Sequence, residues 1–316
     1  MDVILDILDT FVFDKCYASL LPDPTFANTT AFELSSPVNQ HVSLYYPLQA
    51  SQWAYASVWK RDDIIRQFIS FFFIALIFAW ALYLLGSLIL YHTIFDKRMM
   101  SHPRFLQNQI SQEIMQGVTS IPVISLLTAP FFVAEIRGFS KLYDFSSQSP
   151  FWGYSLLQYP LFILFTDSGI YWIHRGLHHP LVYRWCHKPH HKWVVPTPFA
   201  SYAFHPLDGW AQSLPYHVFP LIFPLQKCAY LGLFMFVTLW TVLIHDAEYL
   251  STSKFINGAA CHTMHHLYFN YNYGQYITLW DRLGGTYRTP EEDAFKKKQN
   301  AERDALASAS VVKKGN

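Results

Sequence analysis

Eight histidines fall in three short stretches of the chain: His174 and His178 in HRGLH, His187, His190 and His191 in HKPHH, and His262, His265 and His266 in HTMHH. Imidazole is the commonest protein ligand for the first-row metals. On a helix, residues three or four apart share a face, so each stretch can aim its rings at one point. A single zinc fills its shell with four ligands, and eight nitrogens therefore predict two metal ions close together. A lone HxxxH in an apolar protein is more often a packed pair, but two HxxHH triplets beside one HxxxH are a ligand pattern.

Other groups gather around these. His245, beside Asp246 and Glu248 at the end of an apolar stretch, is a ninth candidate ligand. Asp167 lies seven and eleven residues before His174 and His178, on the same helical stripe as Tyr171. A carboxylate behind a metal-bound ring would fit it there, the alternative being a helix-end acid with a local partner. Glu248 is a second such candidate. His205, in FHPLD, is open between a ligand and an orienting role, and His179 points off the stripe of His174 and His178. His41, His92, His102 and His217 lie outside the clusters and default to packing or surface roles. Cys16, Cys186, Cys228 and Cys261 form no CxxC pair, which argues against a disulfide framework or a thiolate site. Cys186 and Cys261 directly precede histidine clusters, but one residue turns a helix by about 100 degrees, away from the histidine face. Zinc hydrolases keep three protein ligands and an open position. An all-nitrogen set for two ions suits iron, which takes oxygen at open positions, and inside a membrane it predicts attack on an unactivated C–H bond of a lipid.

The elements that position these residues read as a helical membrane protein. Of 316 residues 52% are hydrophobic and only 14% charged, against roughly a quarter charged in soluble domains. The net charge is +1, without the basic face of a nucleic-acid binder. Residues 1–66 lack the basic start and short apolar core of a cleavable signal peptide. Residues 68–91 are apolar enough and long enough to span a bilayer, which takes about 20 residues. Residues 121–133 predict a span kinked by Pro122 and Pro130, and 151–173 a span running straight into the first cluster. Residues 214–244 are apolar but broken by Pro215, Pro220 and Pro224. If all three clusters share one centre they lie on one side of the membrane. The stretch between the second and third must then enter and return, as a re-entrant or tightly paired helical hairpin.

Three spans before the first cluster put the N-terminus opposite the metal site. Asn28 heads an N-x-T triplet that could be glycosylated only on the lumenal side. Lys313 and Lys314, fourth and third from the end, have the form of a cytosolic dilysine retrieval signal of the endoplasmic reticulum. Loop charges do not settle the orientation, since Lys60, Arg61 and Arg66 precede the first span while Lys97, Arg98 and Arg104 follow it. The expected fold is an all-α, multi-pass integral membrane domain with a cytosolic histidine-rich di-metal site. Its organisation is a lumenal leader over 1–66, a membrane-embedded catalytic domain over 67–290 and a polar cytosolic tail over 291–316.

The run HRGLHHPLVYRWCHKPHHKWVVPTPFASYAFHPLDGW, then IHDAEY, then CHTMHHLYFNYNYGQYITLWDRLGGTYR, resembles the fatty acid hydroxylase superfamily and, within it, the fungal sterol C-5 desaturases. The resemblance covers about residues 150–290. It implies a Δ7-sterol C-5(6) desaturase of ergosterol biosynthesis in the endoplasmic reticulum membrane, acting on episterol-like substrates. It further implies two irons, O2 as co-substrate, and electrons from NAD(P)H through cytochrome b5 and its reductase. By the same resemblance His174, His178, His187, His190, His191, His262, His265 and His266 bind the irons, and all eight positions of the family's boxes are filled. The aromatics of residues 268–273 are expected to wall a flat sterol slot or to form an interfacial belt. Trp280, Asp281 and Arg282 are assigned a structural turn. A C-4 methyl oxidase or lipid hydroxylase on the same scaffold stays open, since ligands alone do not choose between hydroxylation and desaturation. A non-catalytic, zinc-holding sterol-binding protein is the rival from another class.

Overall fold

The structure, a computed structural model, describes residues 1–26, 51–246 and 253–289. Asn28, Glu248 and the tail over 291–316, including both terminal lysines, lie outside the described residues.

The described chain is mostly helical. Helix α1 (Asp2–Leu8), a π-helical turn (Asp9–Phe13) and α2 (Asp14–Leu20) run on without a break and lead to the first long helix, α3 (Ile64–Thr93). Asp63 caps α3 by accepting from the N–H groups of Ile65 and Arg66, which satisfies two of the donors a helix start leaves open. α4 (Gln109–Ala134) continues through a π-helical turn to Phe139. Pro122 and Pro130 sit inside α4 without ending it, and the helix begins twelve residues earlier than the apolar stretch at 121–133 suggests. Gln109, Glu113, Gln116 and Ser120 hide its first turns from a hydropathy reading.

β1 (Leu142–Tyr143) precedes α5 (Tyr154–Leu177), the short helices α6 (Pro180–Cys186) and α7 (Lys188–His191), and α8 (Pro206–Ile222). β2 (Leu225–Gln226), which pairs in parallel with β1, then leads to α9 (Lys227–Leu243), α10 (Ala259–Tyr268) and α11 (Leu279–Leu283).

Among the described residues two helices are long and apolar enough to cross a membrane, Ile64–Thr93 and Gln109–Phe139. The first, at 30 residues, is about 45 Å long. The predicted third segment is a helix too, shifted three or four residues from 151–173 because Gly153, at φ 85°, starts it and it runs on through the first cluster. The predicted hairpin exists as α8 and α9, of 17 residues each, turned around by 223–226. Its arms find other partners rather than zipping tightly to one another: α8 packs on α5 and α4, and α9 on α3.

Contacts at the two ends of the long helices fix which end is which. At one end Lys227 reaches Asp2 at 2.6 Å and Asp144 at 2.7 Å, and Arg137 holds Gln67 at 3.0 Å. At the other, Tyr83 and Ser87 of α3 donate to the carbonyls of Phe199 and Pro198 at 2.9 and 3.0 Å, and Gln109 of α4 donates to that of Val195 at 2.8 Å. All nine candidate ligands gather at this second end. Lipid tails compete with apolar side chains, so helices in a bilayer are held chiefly by close approach and hydrogen bonds. The crossings fit that rule: a Cβ on Gly117 would meet the Tyr83 hydroxyl at 2.6 Å, and one on Gly169 would meet Pro215 at 2.6 Å.

Residues 1–20 pack onto this body. Leu5 lies in one apolar cluster with Phe71, Ile74, Ala129 and Phe132. Arg66, at the start of α3, reaches Asp9 at 2.8 Å and Asp14 at 2.6 Å with its side chain 1% exposed.

Candidate metal centre

The nine histidines come together as two groups whose ligand atoms lie within 4.8 Å of one another. One holds His174, His178, His187, His191 and His265, and the other His190, His245, His262 and His266. This corrects the expectation that each stretch aims at a single point. Consecutive helical residues are turned by about 100 degrees, so neighbours such as His190 and His191 cannot face the same ion. The i, i+4 pairs stay together, His187 with His191 and His262 with His266. The middle residue of each HxxHH crosses to the other group: His190 joins the second, His265 the first. The two HxxHH stretches are thus interlocked, each contributing to both groups. The groups adjoin, with the His191 and His266 rings 5.0 Å apart.

Inside the groups it is the Nε2 atoms that converge. In the first, His174 and His187 bring them to 3.1 Å, as do His191 and His187, His191 and His178, and His265 and His191. In the second the separations are 3.4 Å for His245 and His190, 2.9 Å for His262 and His245, and 3.1 Å for His266 and His262. Two nitrogens at about 2.1 Å from a common metal and about 90 to 110 degrees apart would be separated by about 3.0 to 3.4 Å.

The protons are placed by the outer ring atoms. His174 Nδ1 donates to the carbonyl of Tyr273 at 3.0 Å, and His265 Nδ1 to that of Tyr271 at 2.7 Å. His190 Nδ1 donates to the carbonyl of Ala203 at 3.4 Å, and His245 Nδ1 to that of Thr241 at 2.7 Å. His187 Nδ1 meets the carboxylate of Asp208 at 2.7 Å. These oxygens only accept, so each Nδ1 carries the proton and each Nε2 presents a lone pair inward. His174 and His187 therefore face each other lone pair to lone pair, and so do His190 and His245. Neither pair can form a hydrogen bond in that tautomer, and the contact is repulsive without a cation between the rings. The donor set fits a pair of metal ions on this ground.

Electrostatics keep the rings in the ligating form. Burial pushes His190, His191, His262, His265 and His266 well below the ordinary histidine value, and the neighbouring imidazoles push the same way.

Two of the predicted supporting groups act elsewhere. Among the described residues Asp167 makes no hydrogen bond with an imidazole; its Oδ1 accepts from the N–H groups of Gln275 and Tyr276 at 2.8 and 2.7 Å. The stripe with His174 and His178 is real, but at seven residues' distance its carboxylate meets the loop after the third cluster instead. His205 caps α8, accepting from Leu207 N–H, and His179 caps α6 through Leu181 N–H. His217 is buried on α8 and stacks on Phe131 at 5.4 Å. Neither group contains a thiol or a carboxylate.

Asp208 escaped the sequence reading, and Asp281 received only a structural turn there. Asp208 stands in FHPLD, three residues after the histidine that drew attention there, and orients His187 from the first turn of α8. Asp281, fully buried, is more than a turn residue. Its Oδ1 accepts from Tyr273 N–H and the Thr286 hydroxyl at 2.8 and 2.7 Å, and its Oδ2 accepts from Gly274 N–H at 2.8 Å. Burial pushes its carboxyl up, against the pull of those donors. Asp167 and Asp281 therefore grip the loop whose Tyr271 and Tyr273 carbonyls orient His265 and His174.

A cavity of about 1350 Å³, its mouth included, opens beside the centre. His174, His190, His245 and His262 form one end, and Phe78, Phe132 and Phe234 are among its apolar walls. The aromatics of residues 268–273 do not line it. They pack instead on the back of the imidazoles, Phe269 at 4.8 Å from His191 and Tyr273 at 5.0 Å from His178.

The fatty acid hydroxylase family model matches residues 159–286, the segment that carries all nine histidines. The chain is 58% identical over 308 residues to the Delta(7)-sterol 5(6)-desaturase erg3B of Aspergillus fumigatus, covering 97% of this chain and 91% of that protein. It is 54% identical to a probable Delta(7)-sterol 5(6)-desaturase of Neurospora crassa, covering 95% and 89%. It is 44% identical to the Delta(7)-sterol 5(6)-desaturase ERG3 of Candida albicans, covering 96% and 92%. No solved structure matches. With identity of this level along nearly its whole length, the chain belongs to the fatty acid hydroxylase family.

Proposed function

We propose that this chain is a Δ7-sterol 5(6)-desaturase of ergosterol biosynthesis, an oxidoreductase that introduces the C5=C6 double bond into episterol-like sterols. The observation that carries the reading is the pair of all-imidazole groups, Nε2 atoms converging, at one end of a mainly apolar cavity. The relatives' activity, as their names state it, supports the same reaction. The balance is simple: the sterol loses two hydrogens from adjacent carbons, and O2, with two electrons and two protons, becomes two waters.

Two irons held by the nine histidines would supply the power to activate O2 and break an unactivated C–H bond. The protein's own part is position. The Nδ1 hydrogen bonds to Tyr273, Tyr271, Ala203, Thr241 and Asp208 fix the tautomer and tilt of His174, His265, His190, His245 and His187. The cavity wall lays the flat ring system against the groups, where geometry decides which C–H bond is exposed. Its apolar lining keeps water from the reacting carbons.

Electrons arrive from NAD(P)H through cytochrome b5 and its reductase at the cytosolic face. α3, α4 and α5 run alternately between the two ends, so three passes separate the N-terminus from the histidine end. The protein is then a multi-pass resident of the endoplasmic reticulum membrane, with residues 1–66 lumenal, 67–290 catalytic and 291–316 cytosolic. Sterol profiling of a deletion strain tests the activity. Rescue by this chain restores 5,7-dienes, and the His187→Ala form leaves Δ7-sterols accumulated. Accumulated 4-methylsterols in the deletion strain would instead mark a C-4 methyl oxidase.

A further inference from the structure

The cavity is mainly apolar, its polar lining including Ser125, Thr128 and His217 as well as the carboxamide of Gln212, which stands in the wall near the histidines. Gln212 lies one helical turn beyond Asp208 on α8, and its Nε2 donates to Asp208 Oδ1 at 2.7 Å. A carboxylate only accepts, so this bond fixes which way round the amide sits. The Nε2 edge faces Asp208, and Oε1 is left as an acceptor that no group among the described residues uses. An acceptor in an apolar wall favours a ligand that brings a donor.

Resting on the sterol reading above, we infer that Gln212 Oε1 receives the 3-hydroxyl proton of the substrate. Every sterol carries that hydroxyl, and its oxygen is only three bonds from carbon 5. A subsite for it must therefore lie beside the metal centre rather than at the distant end of the cavity lined by Met1 and Ile4. Gln212 meets that condition through its neighbour: Asp208 Oδ2 holds His187 at 2.7 Å. One chain of hydrogen bonds then runs from sterol hydroxyl to Gln212, to Asp208, to a ring of the five-histidine group. The hydroxyl sets the register of the rings along the cavity, which makes Gln212 a specificity-determining residue. Gln275 is the competing amide, since it also lines the cavity and commits its Nε2 to Thr241 Oγ1 at 3.0 Å; Thr128 Oγ1 and His217 Nδ1 also lack partners among the described residues, but neither bonds a group that holds a histidine of the centre.

The test uses the full-length, metal-loaded chain in lipid nanodiscs and two probes, cholest-7-en-3β-ol and the hydrocarbon cholest-7-ene. Both compete against tritiated cholest-7-en-3β-ol, and iron per chain is measured alongside. The parent protein is expected to bind the hydroxysterol about tenfold more tightly than the hydrocarbon. Gln212→Met should bring that ratio to about one while cholest-7-ene affinity holds, both affinities being taken per iron-loaded chain because Gln212 also supports Asp208. A ratio that stays at the parent value overturns the inference, as does one lost in Gln275→Met and kept in Gln212→Met. Equal loss of both probes also overturns it, and leaves Gln212 as a support for Asp208 alone. A parent protein that binds neither probe strikes at the sterol reading instead.

Discussion

Asp208 Oδ2 lies 2.7 Å from His187 Nδ1, with both side chains wholly enclosed. The two residues are 21 positions apart, Asp208 in the first turn of α8 and His187 in the turn between α6 and α7. The bond settles the His187 tautomer, and the second carboxylate oxygen is held by Gln212, so the ring is supported by a group that is itself supported.

Asp208→Ala should therefore weaken metal retention without removing a ligand. Loss of such a supporting carboxylate typically costs about 10- to 100-fold in metal affinity. Iron per chain, followed through dialysis against a graded chelator, is the measurement; retention equal to the parent's would deny Asp208 that role.

The interlock makes the two groups unequal in a testable way. The five-histidine group keeps four nitrogens when one ring is lost, whereas the four-histidine group falls to three. His178→Ala is expected to retain about two irons per chain under mild chelation, and His245→Ala about one, while turnover fails in both. Equal iron loss from the two variants would contradict the division.

Much of this centre was legible because helical spacing acts locally. The eight box histidines and His245 follow from their own sequence neighbourhood, as do the helices over α3, α4 and α5. The division into groups follows from the same 100 degree turn once both HxxHH stretches are considered together. What did not show is non-local. Nothing near Tyr271 or Tyr273 marks their backbone carbonyls as ring acceptors, and nothing near Asp281 marks it as the clamp on that loop. Asp167 drew attention by sharing a stripe with His174, yet a stripe gives direction and not reach. The polar first turns of α4 masked its start, because Gln109 and Glu113 are buried against the rest of the protein.

The N-terminal contacts carry a stability prediction. Arg66 is the partner of both Asp9 and Asp14, and since Asp14 keeps Arg61, Arg66→Leu strands the buried carboxylate of Asp9 and should cost about 3–5 kcal/mol. Thermal melting in detergent measures this, and Asp9→Asn in the same chain should recover part of the loss. Melting unchanged by Arg66→Leu would show that the contact contributes nothing.

Acid should weaken the same region. Burial pushes the Asp14 carboxyl up, but hydrogen bonds from Arg61, Ser51 and Arg66 outweigh it, and the net shift is downward. A carboxyl lowered in the folded state stabilises fully above its unfolded value of about 4 and loses that contribution as pH falls through the folded value. Asp9, raised mainly by burial, acts with the opposite sign. In a pH series of melting temperatures below about 4, Asp14→Asn should flatten the slope relative to the parent; an unchanged slope would remove Asp14 from the account.

The end-to-end order of the helices makes a prediction about sidedness that does not depend on the metals. Cys16 and Cys228 are exposed and share the end where Lys227 meets Asp2. Arg184, also exposed, lies on α6 at the histidine end. If α3, α4 and α5 each cross the bilayer, a membrane-impermeant maleimide added to sealed microsomes should label a single cysteine placed as Arg184→Cys. Cys16 or Cys228, as the lone cysteine, should react only after the vesicles are opened. Cys16 and Cys228 must also behave alike, because α8 and α9 leave the histidine end and return to it. Labelling of Cys228 in sealed vesicles with Cys16 protected would mean that the hairpin does not reach the far surface. Labelling of all three would remove the membrane crossings themselves.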